Sequence, residues 1–119
     1  MRLGDLKTSI RGNVVIARLS GEIDLSNSGE LRTAITDATP NEVRGVVLDL
    51  SGVDYIDSAG IQLLYRLREG LRVRGQALRL VIPSDSLVSD TLRLAGIERS
   101  IEMVEAIDEG IQALVSATE

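Results

Sequence analysis

The run Val46-Val47-Leu48-Asp49-Leu50 constrains the fold more than any other stretch of this chain. It is nearly continuous in apolar residues rather than alternating. That is the pattern of a strand covered on both faces, and such strands sit in sheets flanked by helices. The segments around it agree. Leu6 to Ile10 reads as a short strand, Arg11-Gly12-Asn13 as a turn, and Val14 to Leu19 as a second, β-branched strand. A Gly- and Asn-bearing turn between two such runs predicts a hairpin.

Gly21-Glu22-Ile23-Asp24 then leads into a helix for which Ser26, Asn27 or Ser28 is a candidate cap. Leu31, Ala34, Ile35 and Ala38 form its buried stripe, and Pro40-Asn41 ends it. The central strand is expected to stop near Leu50, followed by a loop carrying Val53, Tyr55 and Ile56. A second helix runs from about Ser58 to Val73, with Leu64, Leu67 and Leu71 on one face and a stop at Gly75. Leu78 to Ile82 is the next strand, closed by Pro83; Ser84 or Asp85 caps a third helix that ends at Gly96. Ile101 to Val104 is a last short strand, and Ile107, Ile111, Leu114 and Val115 mark a final amphipathic helix. The order ββαβαβαβα predicts an α/β fold: a mixed, mostly parallel sheet with an N-terminal hairpin, about four helices and right-handed crossovers. One domain over residues 1–119 is expected for this length.

Composition narrows the chemistry. Hydrophobic residues make up 44% of the chain, but only Tyr55 and Tyr65 are aromatic, so the core must be aliphatic. Cysteine and histidine are both absent. Thiolate metal sites are thereby excluded, along with the commonest general base and metal ligand. Lys7 is the only lysine, which leaves little from which to build a nucleophile and its base. A non-enzyme without a cofactor is expected. Asp5, Asp24, Asp49, Asp54 and Asp57 lack the spacing of a calcium loop, so no metal is expected either. Gly12, Gly45, Gly52 and Gly75 read as turn glycines.

The net charge of −5 argues against a nucleic-acid surface. Arg66, Arg68, Arg72, Arg74 and Arg79, with Glu69, read as a solvated face. No apolar run approaches the roughly 20 residues that span a bilayer, and Met1 to Asp5 does not resemble the start of a signal peptide. No membrane contact and a cytoplasmic location are the expectations.

The most informative stretch is Val46 to Leu64. In a parallel sheet the loops after the strand C-termini gather on one edge, where α/β proteins present functional groups. Ser58 falls there, at or beside the N-cap of the second helix. Unpaired N–H groups and the positive end of the helix dipole meet at that point, so an added phosphate is well tolerated. Asp57 and Ser58 are equally what an ordinary helix cap calls for. Ala59 and Gly60 are small and would let another protein surface approach closely.

Three segments carry a family resemblance. They are Leu19-Ser20-Gly21-Glu22-Ile23-Asp24, the stretch Val46 to Ile61 with its core Ile56-Asp57-Ser58-Ala59-Gly60-Ile61, and Leu92-Arg93-Leu94-Ala95-Gly96-Ile97. Together they resemble the STAS domain of bacterial anti-sigma factor antagonists, from near residue 5 to near residue 115. The resemblance implies a partner switch. The unphosphorylated protein binds an anti-sigma factor that is also a serine kinase, and a sigma factor is freed. The kinase then phosphorylates the serine that aligns with Ser58, the antagonist is released, and a serine phosphatase resets it.

Asp24 aligns with an acidic residue close to that serine in the family fold, and Asp57 with the residue just before it. Ala59 stands where some members carry a second hydroxyl, which leaves Ser58 as the acceptor in the motif. The implied contact surface comprises Asp24, Ile56, Asp57, Ser58, Ala59, Gly60, Ile61 and Gln62, on a monomer or weak dimer. Single STAS domains also serve as scaffold subunits of stress-signalling or lipid-transport assemblies, which is the alternative role. A nucleotide site at the helix N-terminus is a third.

Overall fold

The computed structural model describes residues 5–117. Its elements are β1 (Asp5–Arg11), β2 (Val14–Ile23), α1 (Ser28–Asp37), β3 (Gly45–Ile56), α2 (Ser58–Val73), β4 (Ala77–Val81), α3 (Leu87–Leu94), a single 3₁₀ turn at Ile97–Arg99, β5 (Glu102–Val104) and α4 (Ile107–Ala117). The five strands lie in the order β1-β2-β3-β4-β5. β1 and β2 form the expected antiparallel hairpin, and every later pairing is parallel. The α/β architecture is the one that the apolar periodicity predicts.

The central run is covered on both faces, and the alternation of its side chains shows how. Val46, Leu48 and Leu50 join Val15, Ala17 and Leu19 in the main core, against Leu31 and Ile35 of α1, Leu64, Leu67 and Leu71 of α2, and Val88 and Leu92 of α3. Val47 points the other way, with Val14, Ile16 and Val81, and is covered by Leu114 of α4. Three helices therefore share one face, while α4 closes the opposite one. The main core holds no Phe or Trp and is packed from aliphatic side chains.

Several boundaries differ from the sequence expectation. β3 does not stop near Leu50 but continues to Ile56, so Val53, Tyr55 and Ile56 are strand residues rather than loop. β2 likewise continues through Gly21-Glu22 to Ile23. The two extensions support each other: Ser20 pairs with Gly52, Gly21 with Val53, Glu22 with Tyr55 and Ile23 with Ile56, across two register shifts. Ser51-Gly52 breaks the apolar run locally, but the ladder to β2 overrides that weak propensity.

Gly45 and Gly52 accordingly lie in β3 and are not turn glycines. A methyl group at Gly45 would drive into the carbonyl of Ala77, which is why the strand tolerates only glycine there. Gly12 and Gly75 are turn glycines, with φ of +62° and +75°. The third helix is capped by Ser86, not by Ser84 or Asp85. Pro83 starts a turn in which the Ser86 amide and hydroxyl both donate to its carbonyl, and the Ser86 hydroxyl accepts from the Ser89 amide at 3.0 Å. That turn carries the chain two residues further before the helix can begin.

Candidate functional site

The C-terminal ends of β2 and β3 reach the same edge of the sheet, and the first turn of α2 starts between them. The Asp57 amide donates to the Ile23 carbonyl at 3.3 Å, which ties the start of α2 to the end of β2. Gly60, in the first turn of α2, is packed so closely on Ile23 and Ile56 that a β-carbon there would overlap the Ile56 side chain. The two strand ends and the helix start thus form one rigid corner.

Asp57 is the N-cap of α2, in extended conformation, and its Oδ1 accepts from the Gly60 amide at 3.0 Å. Ser58 is therefore the first helical residue, beside the cap and not on it. It is exposed. Its hydroxyl takes no part in any hydrogen bond among the described residues. The amides of Ser58 and Ala59 sit where a helix supplies no partner of its own. Exposed hydroxyl and open amides lie together at the positive end of a 16-residue helix.

Asp24 follows directly on β2. Its Oδ1 accepts from the Ser26 amide at 2.9 Å and from the Ser26 hydroxyl at 2.5 Å. The hydroxyl bond first, and the amide bond second, hold the carboxyl below its ordinary pKa. Asn27 is the N-cap of α1, but its side chain makes no capping bond. It turns back instead, accepting from the Asp24 amide at 3.0 Å and donating to the Glu22 carbonyl at 2.8 Å. The β2–α1 corner is thereby fixed, and Leu25 is left projecting from it, 81% exposed.

Leu25 closes one side of a hollow of about 410 Å³ whose other walls are Ser58, Ala59, Ile61, Gln62 and Tyr65. Four of the residues expected from the sequence, Ser58, Ala59, Ile61 and Gln62, are thus brought to one surface. Asp24 flanks them through Leu25. Ile56 and Gly60 are buried, and so form the floor that supports the surface. Leu25 and Tyr65 were not legible as members of this surface. Leu25 was, however, visible as a large apolar residue between two polar ones with no helical stripe to join. Among the described residues no group of three or more Asp or Glu side chains is placed to hold a metal ion. Among the described residues no helix is long and apolar enough to cross a membrane.

Comparison with known proteins identifies the family and the fold. The family model for the STAS domain matches residues 5–110. The anti-sigma-F factor antagonist RsfB of Mycobacterium tuberculosis is 24% identical over 99 residues, covering 82% of this chain and 79% of that protein. An anti-sigma factor antagonist from Mycobacterium paratuberculosis superposes with a TM-score of 0.82 at 21% identity, over 94% of each chain. The antagonist SpoIIAA in its unphosphorylated form superposes with a TM-score of 0.60 at 24% identity, over 94% of this chain and 98% of its own.

Proposed function

The chain belongs to the STAS domain family, and on that footing we propose that it acts as an anti-sigma factor antagonist switched at Ser58. In this reading the corner formed by Asp24, Leu25 and the first two turns of α2 docks on an anti-sigma factor that is also a serine kinase. Docking displaces the sigma factor. The kinase moves the terminal phosphoryl group of ATP onto the Ser58 oxygen, ADP leaves, and the antagonist is released until a serine phosphatase removes the phosphate. The protein itself binds and is modified; it does not catalyse.

The observation that carries this reading is the exposed Ser58 hydroxyl at the first residue of α2, with the cap function already filled by Asp57. A serine that capped the helix would be tied to an amide, and modifying it would cost about 0.5–2 kcal/mol of cap stability. Ser58 carries no such duty. A phosphate there faces open amides and adds about −1.5 to −2 charges beside Asp57. The domain keeps its fold while the docking surface, which already carries Asp24 and Asp57, becomes more negative. The similarity to RsfB and SpoIIAA supports the same partner class.

The test is mass spectrometry after incubation with cell extract and Mg-ATP. Phosphate on Ser58 is expected, with Ser58→Ala unmodified. Ser58→Asp should bind the anti-sigma factor more weakly and Ser58→Ala should bind normally. Equal binding by the two variants would sink the switch.

A further inference from the structure

Of the five arginines from Arg66 to Arg79, four are engaged. Arg68 donates to the Ser100 carbonyl, Arg72 pairs with Glu69, Arg74 bonds Asn41 and the Thr39 carbonyl, and Arg79 pairs with Glu102. Arg66 is the exception: its guanidinium has no ion pair or hydrogen bond among the described residues. Across from it, on α1, Arg32 is also without one. The two face the same cleft of about 300 Å³ between α1 and α2, floored by Ala59 and Leu63 and rimmed by Leu25. This cleft adjoins the hollow at Ser58, with Leu25, Ala59 and Gln62 common to both.

We propose that the α1–α2 cleft docks an acidic, leucine-type segment of the partner protein, with Arg32 and Arg66 clamping its carboxylates, and that a phosphate on Ser58 discharges the clamp. The identity of the partner rests on the function proposed above. Charge complementarity selects this occupant. The chain as a whole carries −5 and repels acidic surfaces. Two unneutralised guanidiniums beside an exposed leucine make a local setting that attracts an acidic and apolar segment.

The coupling follows from helix geometry. Ser58, Gln62 and Arg66 are spaced four residues apart and lie along one stripe of α2. The eight-residue separation puts the two ends about 12 Å apart along the axis. Side chains lean toward the helix N-terminus, so the Arg66 guanidinium leans back toward Ser58. A phosphate there acts within about one to two screening lengths of the clamp. It both repels the incoming carboxylates and competes for Arg66.

The test uses the whole protein and a blocked synthetic peptide of alternating leucine and glutamate, with a leucine–lysine twin as control, followed by two-dimensional NMR. The acidic peptide should shift the amides of Gly29, Arg32, Ala59, Gln62 and Arg66 saturably, and the lysine twin should not. Arg32→Gln and Arg66→Gln, exposed and unpaired, should each weaken the acidic peptide by about 1.5- to 5-fold. Unchanged melting would show both variants folded. Ser58→Asp should weaken it as well, less so in high salt. Absent or scattered shifts, equal binding of the lysine twin, or indifference to both glutamine variants would overturn the clamp. Indifference to Ser58→Asp would overturn its discharge. The titration needs no kinase. Its failure leaves the Ser58 switch standing, and an unphosphorylatable Ser58 with a working clamp would sink only the switch.

Discussion

The amide of Asp57 reaches back to the carbonyl of Ile23 at 3.3 Å, so the start of α2 is held by the end of β2. With the Ile23–Ile56 pairing and the packing of Gly60 on Ile23, this bond joins the two segments that border the proposed docking surface. It makes the placement of Ser58 a property of the sheet, and not of its own loop.

The corner should be intolerant of added volume at Gly60. A methyl group there meets the Ile56 side chain and both the side chain and the carbonyl of Ile23. Gly60→Ala is expected to destabilise the protein by about 1–3 kcal/mol, the usual cost of overpacking. Urea denaturation followed by circular dichroism reads this directly. Gly70→Ala, in the same helix with nothing near its would-be β-carbon, is the control and should be neutral or stabilising.

Asp57 has a structural duty distinct from the proposed switch at Ser58. Asp57→Ala removes the bond to the Gly60 amide and should cost about 0.5–2 kcal/mol, whereas Asp57→Asn, which keeps a capping oxygen, should cost far less. Both should remain phosphorylatable at Ser58 once folded. A total loss of modification in folded Asp57→Asn would mean that the carboxylate charge itself serves the kinase.

Asp24 should titrate below the ordinary carboxylate value of about 4. A depressed folded-state pKa stabilises the protein above the unfolded pKa, and the contribution disappears as pH falls through the folded value. The change thus belongs to the acid limb below about pH 4, and neutral stability should be flat with respect to this group. Ser26→Ala removes the hydroxyl bond and should raise the Asp24 pKa, as followed by carboxyl-carbon NMR.

Leu25 and Leu64 should separate binding from folding. Leu64 is fully buried beneath α2, and Leu64→Ala should cost about 2–5 kcal/mol. Leu25 projects from the β2–α1 corner, 81% exposed, so Leu25→Ala should leave the melting temperature nearly unchanged. Its cost should appear in affinity for the proposed anti-sigma factor partner. Unaltered affinity would remove Leu25 from the docking surface.

The sequence by itself determined the element order, the hairpin, the two-faced burial of Val46 to Leu50 and the start of α2 at Ser58. Those features are written in local signals: apolar periodicity, turn glycines, and an aspartate three residues before a glycine amide. The tertiary structure alone decided the rest. β2 and β3 run on past Ser20 and Ser51-Gly52 because each supplies the other's ladder, which no local window contains. Gly45 is fixed by the Ala77 carbonyl of a strand more than thirty residues away, and the cap of α3 moved to Ser86 because Pro83 accepts its bonds first. Arg66 looked like its neighbours in sequence, and Leu25 stood out only as an apolar residue between two polar ones. Only packing shows that α1 and α2 leave a cleft between them. Only the pairing of Arg68, Arg72, Arg74 and Arg79 with residues elsewhere sets Arg66 apart within that cluster as the guanidinium without a partner among the described residues.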